Sequence, residues 1–206
     1  MFITFEGIDG CGKSTHAKLL SDFLTQKGFK TIILREPGGT DFSERIREIL
    51  LTSDYKLNPQ IELMLFEAAR SHLTENVISK ELQSGTAVIS DRFYDSTTAY
   101  QGYGRGIDME IIKICNQLAT NGLKPDLTFF LDLEINEALS RSKDRILDNI
   151  EKSGNDFFEK VVYGYKKIAQ DEPERVVIIN ANGSVEYTHH QIINHINHKF
   201  FLINSQ

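Results

Sequence analysis

An α/β, doubly wound fold is predicted for this chain, and three observations carry that prediction. Five short runs rich in β-branched and aromatic residues alternate with longer helical patterns. The short runs lack polar alternation, as strands do when helices cover both faces of a parallel sheet. The first run ends in a glycine-rich turn that opens a helix, the arrangement of a nucleotide-binding strand–loop–helix unit. The five strands are expected at 2–7, 31–36, 86–92, 127–133 and 175–180. Helices are expected at 13–27, 41–51, 59–83, 95–102 with 107–121, 135–152, 154–170 and 185–202. No repeat, linker or low-complexity tract interrupts them, so residues 1–206 read as one domain. Its functional face should be the carboxyl ends of the strands.

Bulk properties narrow the function classes. A chain that is 40% hydrophobic and 25% charged has ordinary globular composition. Its net charge of −6 gives no support for binding a nucleic acid polymer, which favours a basic surplus. Cys11 and Cys115 are far apart and have no metal-ligand or disulfide spacing. No run approaches the ~18 apolar residues of a membrane span. The first residues read as a core strand rather than as a basic leader. The expectation is a soluble, reduced, cytoplasmic protein with no membrane partner.

Gly7-Ile8-Asp9-Gly10-Cys11-Gly12-Lys13-Ser14 fits the pattern GxxxxGK[ST], and Thr15 follows it. The glycines let the backbone bend so that its N–H groups approach phosphate oxygens, and the helix N-terminus adds partial positive charge. Lys13 supplies a cation to the β- and γ-phosphates of ATP, and the Ser14 hydroxyl is placed to ligand Mg²⁺. A second acid is needed near the metal. Asp91, at the end of "AVISD", sits at a strand tip where it would face the cradle. The bland alternative for Asp91 is a cap on the next helix. Asp132, also at a strand end, is a weaker candidate that could simply organise a loop.

Several stretches together identify a family resemblance. "FEGIDGCGKST", "REPGGT", "DRFYDSTTAYQG", "KPDLTFFLD" and "FFEKVVYGYKKIA" stand in the order found in thymidylate kinases of the bacterial type. The resemblance runs from Phe2 to about Ser184. It implies a P-loop NTPase-type, five-stranded parallel sheet with helices on both faces and a short lid near 140–154. It implies transfer of the ATP γ-phosphate to dTMP with Mg²⁺, and a homodimer.

The residues carry a compatible chemistry. Phe66 and Arg70 are four apart on one helix and share a face. Alone they read as a core aromatic and a solvated charge. In the family such a pair stacks on thymine and donates to its O4. A donor there disfavours cytosine, whose exocyclic amine is itself a donor. Thr97, Tyr100 and Gln101 share a helical face as well. By resemblance, Thr97 reaches the base edge, Tyr100 crowds out a ribose 2′-hydroxyl and Gln101 lines the same pocket. Arg92 and Arg47 are candidates for the acceptor phosphate, because a guanidinium fork matches phosphate oxygens. Arg47 follows the Pro37-Gly38-Gly39 bend, which resembles the family's sugar–phosphate loop. Asp9 is expected to orient the acceptor rather than act as a base, since a phosphate monoester with a second pKa of about 6 is already largely dianionic at neutral pH.

Transferring a phosphoryl group needs positive charge beyond the cradle. Position 11 holds a cysteine, so the charge is sought in "SRSKDRILDNIEKS", where Arg141 and Arg145 are one helical turn apart. A solvated, salt-bridged helix is the alternative for that stretch. The chain departs from the family at Phe93, Asn149 and "INANGS", the last lying where adenine contacts are expected. His189, His190, His195 and His198 have no accompanying acid or cysteine cluster and read as part of an amphipathic helix. Two rival functions stay open at this point: a kinase of another (deoxy)nucleoside monophosphate, and a non-catalytic nucleotide-binding module. A guanine-reading NKxD element is absent from the sequence.

Overall fold

The computed structural model describes residues 1–141 and 148–201. Its sheet has five parallel strands in the order β2-β3-β1-β4-β5. They are β1 (Phe2–Glu6), β2 (Thr31–Arg35), β3 (Ala87–Asp91), β4 (Leu127–Asp132) and β5 (Val176–Asn180). The central β1 is wholly buried, and Phe5 lies level with Asp91 on β3 and Phe129 on β4. Because β1 is flanked by β3 on one side and β4 on the other, the loop that follows it opens where the winding changes direction. That is the usual ligand crevice of such sheets. The expected full burial holds for β1 throughout, and for β3 and β4 apart from their last residues. It does not hold for β2 and β5, where Ile33 and Ile178 are each 44% exposed. These are the two edges of the sheet, where helical cover is incomplete.

Local chemistry sets the helix boundaries. α1 (Lys13–Gln26) begins after Gly12, whose φ of 97° puts it in the left-handed region that favours glycine. α2 (Asp41–Leu51) is capped by the Thr40 hydroxyl accepting from the Ser43 N–H at 3.1 Å. α3 (Pro59–Leu73) has Asn58 as its cap and proline in its first turn. It passes through a widened turn, Thr74–Ile78, into α4 (Ser79–Gln83), so the helix expected over 59–83 is one helical run with a bulge. α5 (Tyr94–Thr97) likewise leads into a wide-turned segment, Thr98–Gly104, in which the Arg105 N–H bonds the Tyr100 carbonyl at 2.8 Å. Such i→i+5 turns cluster at functional sites.

α6 (Met109–Thr120) is capped by Asp108 and ends at Asn121, which takes a φ of 50°. α7 spans Ile135–Arg141. The helix expected to continue to residue 152 does not do so. The Asp148 carboxylate accepts from the Ile150 and Glu151 N–H groups, each at 2.8 Å, and so forms a turn followed by a single 3₁₀ turn, Glu151–Ser153. α8 (Asn155–Asp171) and α9 (Val185–Ile196) complete the layers, and a last wide turn covers Asn197–Phe201. α8 lies close against the Thr98–Gly104 segment at Gly164, where an added Cβ would fall 2.7 Å from the Tyr103 ring. The main core fills the space around β1 and β4, with Phe5, Phe129, Phe130, Leu20, Val161 and Ile192 all closed to solvent. Among the described residues, no helix is long and apolar enough to cross a membrane.

Candidate active site

The loop after β1 has the conformation its glycines permit. Gly7, Gly10 and Gly12 have φ values of 137°, 83° and 97°. Close approach also demands glycine at position 7, where a Cβ would sit 2.8 Å from both Cys11 Sγ and the Leu131 carbonyl oxygen. Cys11 therefore turns inward. It is 2% exposed, and burial pushes its thiol pKa up, although Lys13 and Arg92 pull the other way. A thiol of that kind is a packing group and not a reactive one. Ile8 is buried as well, so Gly7, Ile8 and Cys11 can serve the loop only through backbone. Lys13 is held by the loop it serves. Its Nζ donates to the Ile8 carbonyl at 3.0 Å and lies 3.7 Å from Asp9 Oδ1.

A cavity of about 420 Å³ opens above this loop. Asp9, Gly10, Gly12, Lys13, Ser14, Thr15, Asp91 and Arg92 line one side. Pro37, Arg47, Phe66, Arg70, Thr97, Tyr100 and Gln101 line the other. Sequence-distant candidates thus meet around one space. Ser14 Oγ donates to Asp91 Oδ2 at 2.5 Å, which brings a hydroxyl and a carboxylate together at the tips of neighbouring elements. Hard oxygen donors of this kind suit Mg²⁺, which prefers one or two protein ligands beside phosphate and water. No cluster of three or more metal-ligating side chains exists among the described residues, the C-terminal histidines included. Asp132 is not in the cavity; it pairs with Lys166 at 2.9 Å, and its carbonyl accepts from the Ala181 N–H. It organises the β4–β5 ends.

Arg92 sits between the two sides. Its Nη2 donates to Asp9 Oδ1 at 3.1 Å and to the Tyr100 hydroxyl at 3.2 Å, and its Nη1 donates to Ser96 Oγ at 3.1 Å. The guanidinium also lies 5.0 Å from the centre of the Tyr100 ring. Burial alone would lower its pKa, but Tyr100 and Asp9 override that and hold it above the ordinary value. Its backbone φ is 75°, a left-handed conformation unusual for arginine.

The opposite wall is built from buried charge. Arg70 is 2% exposed, and its Nε donates to Glu36 Oε2 at 2.7 Å. Its Nη1 bonds Glu67 and, at 2.7 Å, Thr97 Oγ1, while Nη2 donates to the Phe93 carbonyl at 3.2 Å. Four of five guanidinium N–H groups are thereby engaged, leaving one to read a ligand. Burial disfavours the charge on Arg70, yet Glu36 and Glu67 outweigh it and raise its pKa. Arg47 donates to the Pro37 carbonyl at 2.9 Å, while burial and the neighbouring Arg35 charge lower its pKa. Arg35 is occupied by Glu44 at 2.9 Å.

Sequence reasoning passed over the acids behind this wall. Glu6 accepts from the Phe93 N–H at 2.7 Å, Ser96 Oγ at 2.6 Å and the Tyr165 hydroxyl at 2.9 Å. Burial, with Asp95 adding to it, pushes Glu6 up to about 7. A charge in the otherwise uncharged, strand-like run "FITFE" was the visible hint. Glu36, Glu62, Glu67 and Tyr165 carried no such hint. Of the lid candidates, Arg141 is exposed, pairs with Glu137 at 3.0 Å and donates to the Gly10 carbonyl at 3.4 Å, so it touches the loop from outside the cavity. Arg145 lies outside the described residues. Asp148 and Ile150, just beyond that stretch, do line the cavity.

Comparison with known proteins identifies the family. Residues 5–192 match the family model described as thymidylate kinase. The chain is 48% identical to a thymidylate kinase of Pelodictyon phaeoclathratiforme over 97% of each chain. It is 46% identical to one from Prosthecochloris aestuarii over 93% of this chain and 91% of that one. A crystal structure of thymidylate kinase from Ehrlichia chaffeensis superposes with a TM-score of 0.79 at 34% identity, covering 96% of this chain and 98% of the other. By the family model, the identities and the superposition, the chain belongs to the thymidylate kinase family.

Proposed function

We propose that the protein transfers the γ-phosphate of ATP to dTMP, giving dTDP and ADP. The observation that carries this reading is the second wall. Arg47, Phe66, Arg70 and Tyr100 face Lys13 and Arg92 across one cavity, and a switch or a mere nucleotide-binding module has no use for them. Family membership supports the same reaction.

The loop backbone from Gly7 to Thr15 and Lys13 hold the donor phosphates, and Ser14 with Asp91 would hold Mg²⁺. When bound, that ion offsets phosphate charge. Arg92, fixed by Asp9 and Tyr100, grips the acceptor phosphate between donor and base. Arg47, beside Pro37, takes the outer phosphate oxygens. Phe66 stacks on the base, Arg70 and Thr97 reach its edge, and Tyr100 fills the space a 2′-hydroxyl would need. Asp9 orients the acceptor sugar and Arg92. No side chain is required to remove a proton from a dianionic acceptor. Arg141 or Arg145, in the lid expected at 140–154, supplies the further positive charge for the transferring group, within a single 206-residue domain.

The protein is also proposed to act as a homodimer in an aqueous, reducing compartment. Ile61 and Met64 on α3 and Ile111, Ile114 and Leu118 on α6 leave apolar side chains exposed, Leu118 by 80%. Sedimentation of the purified chain tests this, and a monomer at micromolar concentration would refute it. The catalytic reading is tested by measuring ADP release over a panel of acceptors. dTMP should stimulate it far beyond dCMP or UMP. Release that ignores the acceptor would favour the binding-module alternative, and equal use of dCMP would favour a broader kinase.

A further inference from the structure

Gln101 is 2% exposed, and the protein holds only one end of its amide. Its Nε2 donates to Glu62 Oε1 at 2.8 Å. Glu62 is itself gripped by Arg105, whose Nε donates to Oε1 at 3.1 Å and whose Nη2 donates to Oε2 at 3.0 Å. A carboxylate bonded in this way can only accept. The Gln101 amide therefore has one satisfactory orientation, nitrogen toward Glu62 and oxygen away from it. That oxygen meets no protein donor among the described residues, and Gln101 lines the acceptor cavity beside Phe66, Arg70 and Thr97.

We infer that Glu62, held by Arg105, sets acceptor-base selectivity by fixing Gln101 with its carbonyl oxygen toward the base. The inference rests on the dTMP-kinase reading above. A carbonyl oxygen at that point accepts from the N3–H that thymine and uracil carry. Cytosine presents a lone pair at N3, so two acceptors would face each other. The one unengaged Arg70 N–H reads the adjacent O4. The pyrimidine edge is thus read by one donor and one acceptor, and the acceptor is specified from behind by a residue that never touches the ligand. Glu62 is a positioning residue in this scheme.

The hold on Glu62 is secured from the far side. Arg105 Nη1 donates to Ser153 Oγ at 3.0 Å, and its guanidinium lies 4.4 Å from the centre of the Phe157 ring. Arg105 is consequently unable to swing away from Glu62 without also leaving the turn at Glu151–Ser153.

The test is kcat/KM for dTMP and dCMP with wild type, Glu62→Met, Gln101→Met and the double variant, each checked for folding by thermal unfolding. In Glu62→Met the acceptor that holds Gln101 Nε2 is gone, so nothing keeps the amide nitrogen turned away from the base. The dCMP-to-dTMP efficiency ratio is expected to rise roughly tenfold or more. In the Gln101→Met background the same change should move the ratio less than about twofold, because Glu62 acts only through Gln101. Gln101→Met alone should raise the ratio too, a result that does not depend on whether Glu62→Met folds. An unchanged ratio in folded Glu62→Met or in Gln101→Met overturns the inference. So does an equal shift with and without Gln101. A wild type that never preferred dTMP to dCMP would instead refute the parent reading.

Discussion

The two sides of the cavity, one proposed to hold the phosphates and the other the base, are made of different materials. On the phosphate side the contacts are mostly backbone, bent by Gly7, Gly10 and Gly12, with Lys13, Ser14 and Asp91 added at the tips of adjoining elements. On the base side they are buried side chains whose orientation is set by other buried side chains: Arg70 by Glu36 and Glu67, Gln101 by Glu62, Glu62 by Arg105. A backbone site binds what every nucleotide shares. A side-chain site can be tuned, one hydrogen-bonding group at a time, to what distinguishes one base from another.

That contrast can be broken at several points. The largest effect is expected from Lys13→Ala, which should lower kcat by about 10³ with folding intact, since a preorganised cation at the transferring phosphate is lost. A loss under tenfold in steady-state assays would mean the backbone alone suffices on the phosphate side. Next comes Arg70→Ala. It strands Glu36 and Glu67 in the interior and should cost about 3 kcal/mol in urea unfolding, together with weaker dTMP binding. A stable, merely selectivity-altered variant would show that the base wall is not held by its ion pairs.

Glu6 gives a pH test of the same wall. Its folded pKa of about 7 lies above the ordinary 4.5, so the folded state keeps a proton that the unfolded state gives up. The stability this contributes is fully present below about pH 4.5 and is lost as pH rises through about 7. Wild type should therefore lose stability relative to Glu6→Gln over that window, by on the order of 1–3 kcal/mol. Parallel stability–pH curves for the two proteins would remove Glu6 from this account. The smallest effect is expected from Cys11→Ala, about 1 kcal/mol of stability and activity within a few-fold of wild type. Near-abolition of activity in the folded variant would overturn the reading of Cys11 as a packing group.

The same division governs what could be read in the sequence. The loop was legible because its residues are consecutive and its glycines answer local backbone needs. Phe66 with Arg70, and Thr97 with Tyr100 and Gln101, were legible because helical spacing puts them on one face, and the cavity collects all five. The acids behind them were not. Glu36 meets Arg70 across 34 positions, and Glu6 meets Phe93, Ser96 and Tyr165 across 87, 90 and 159, pairings that exist only once the sheet has formed. Strand identity was clear in "TIILR" and "VVIIN", but edge position was not, because burial at an edge depends on what lies beside it. The break after α7 was hidden because Asp148 reads equally well as a helical surface charge or as the acceptor that closes a turn.

Arg92 places two demands on one position. Its φ of 75° is a conformation in which a residue with a Cβ bears a strain on the order of 1–2 kcal/mol and glycine bears none. Its guanidinium is wanted by Asp9, Ser96 and Tyr100 at once. Anyone seeking a hardier protein by relieving unfavourable torsions would nominate glycine here first. Glycine would relieve the torsion and forfeit those three hydrogen bonds together, so the strain is kept by the contacts it makes possible.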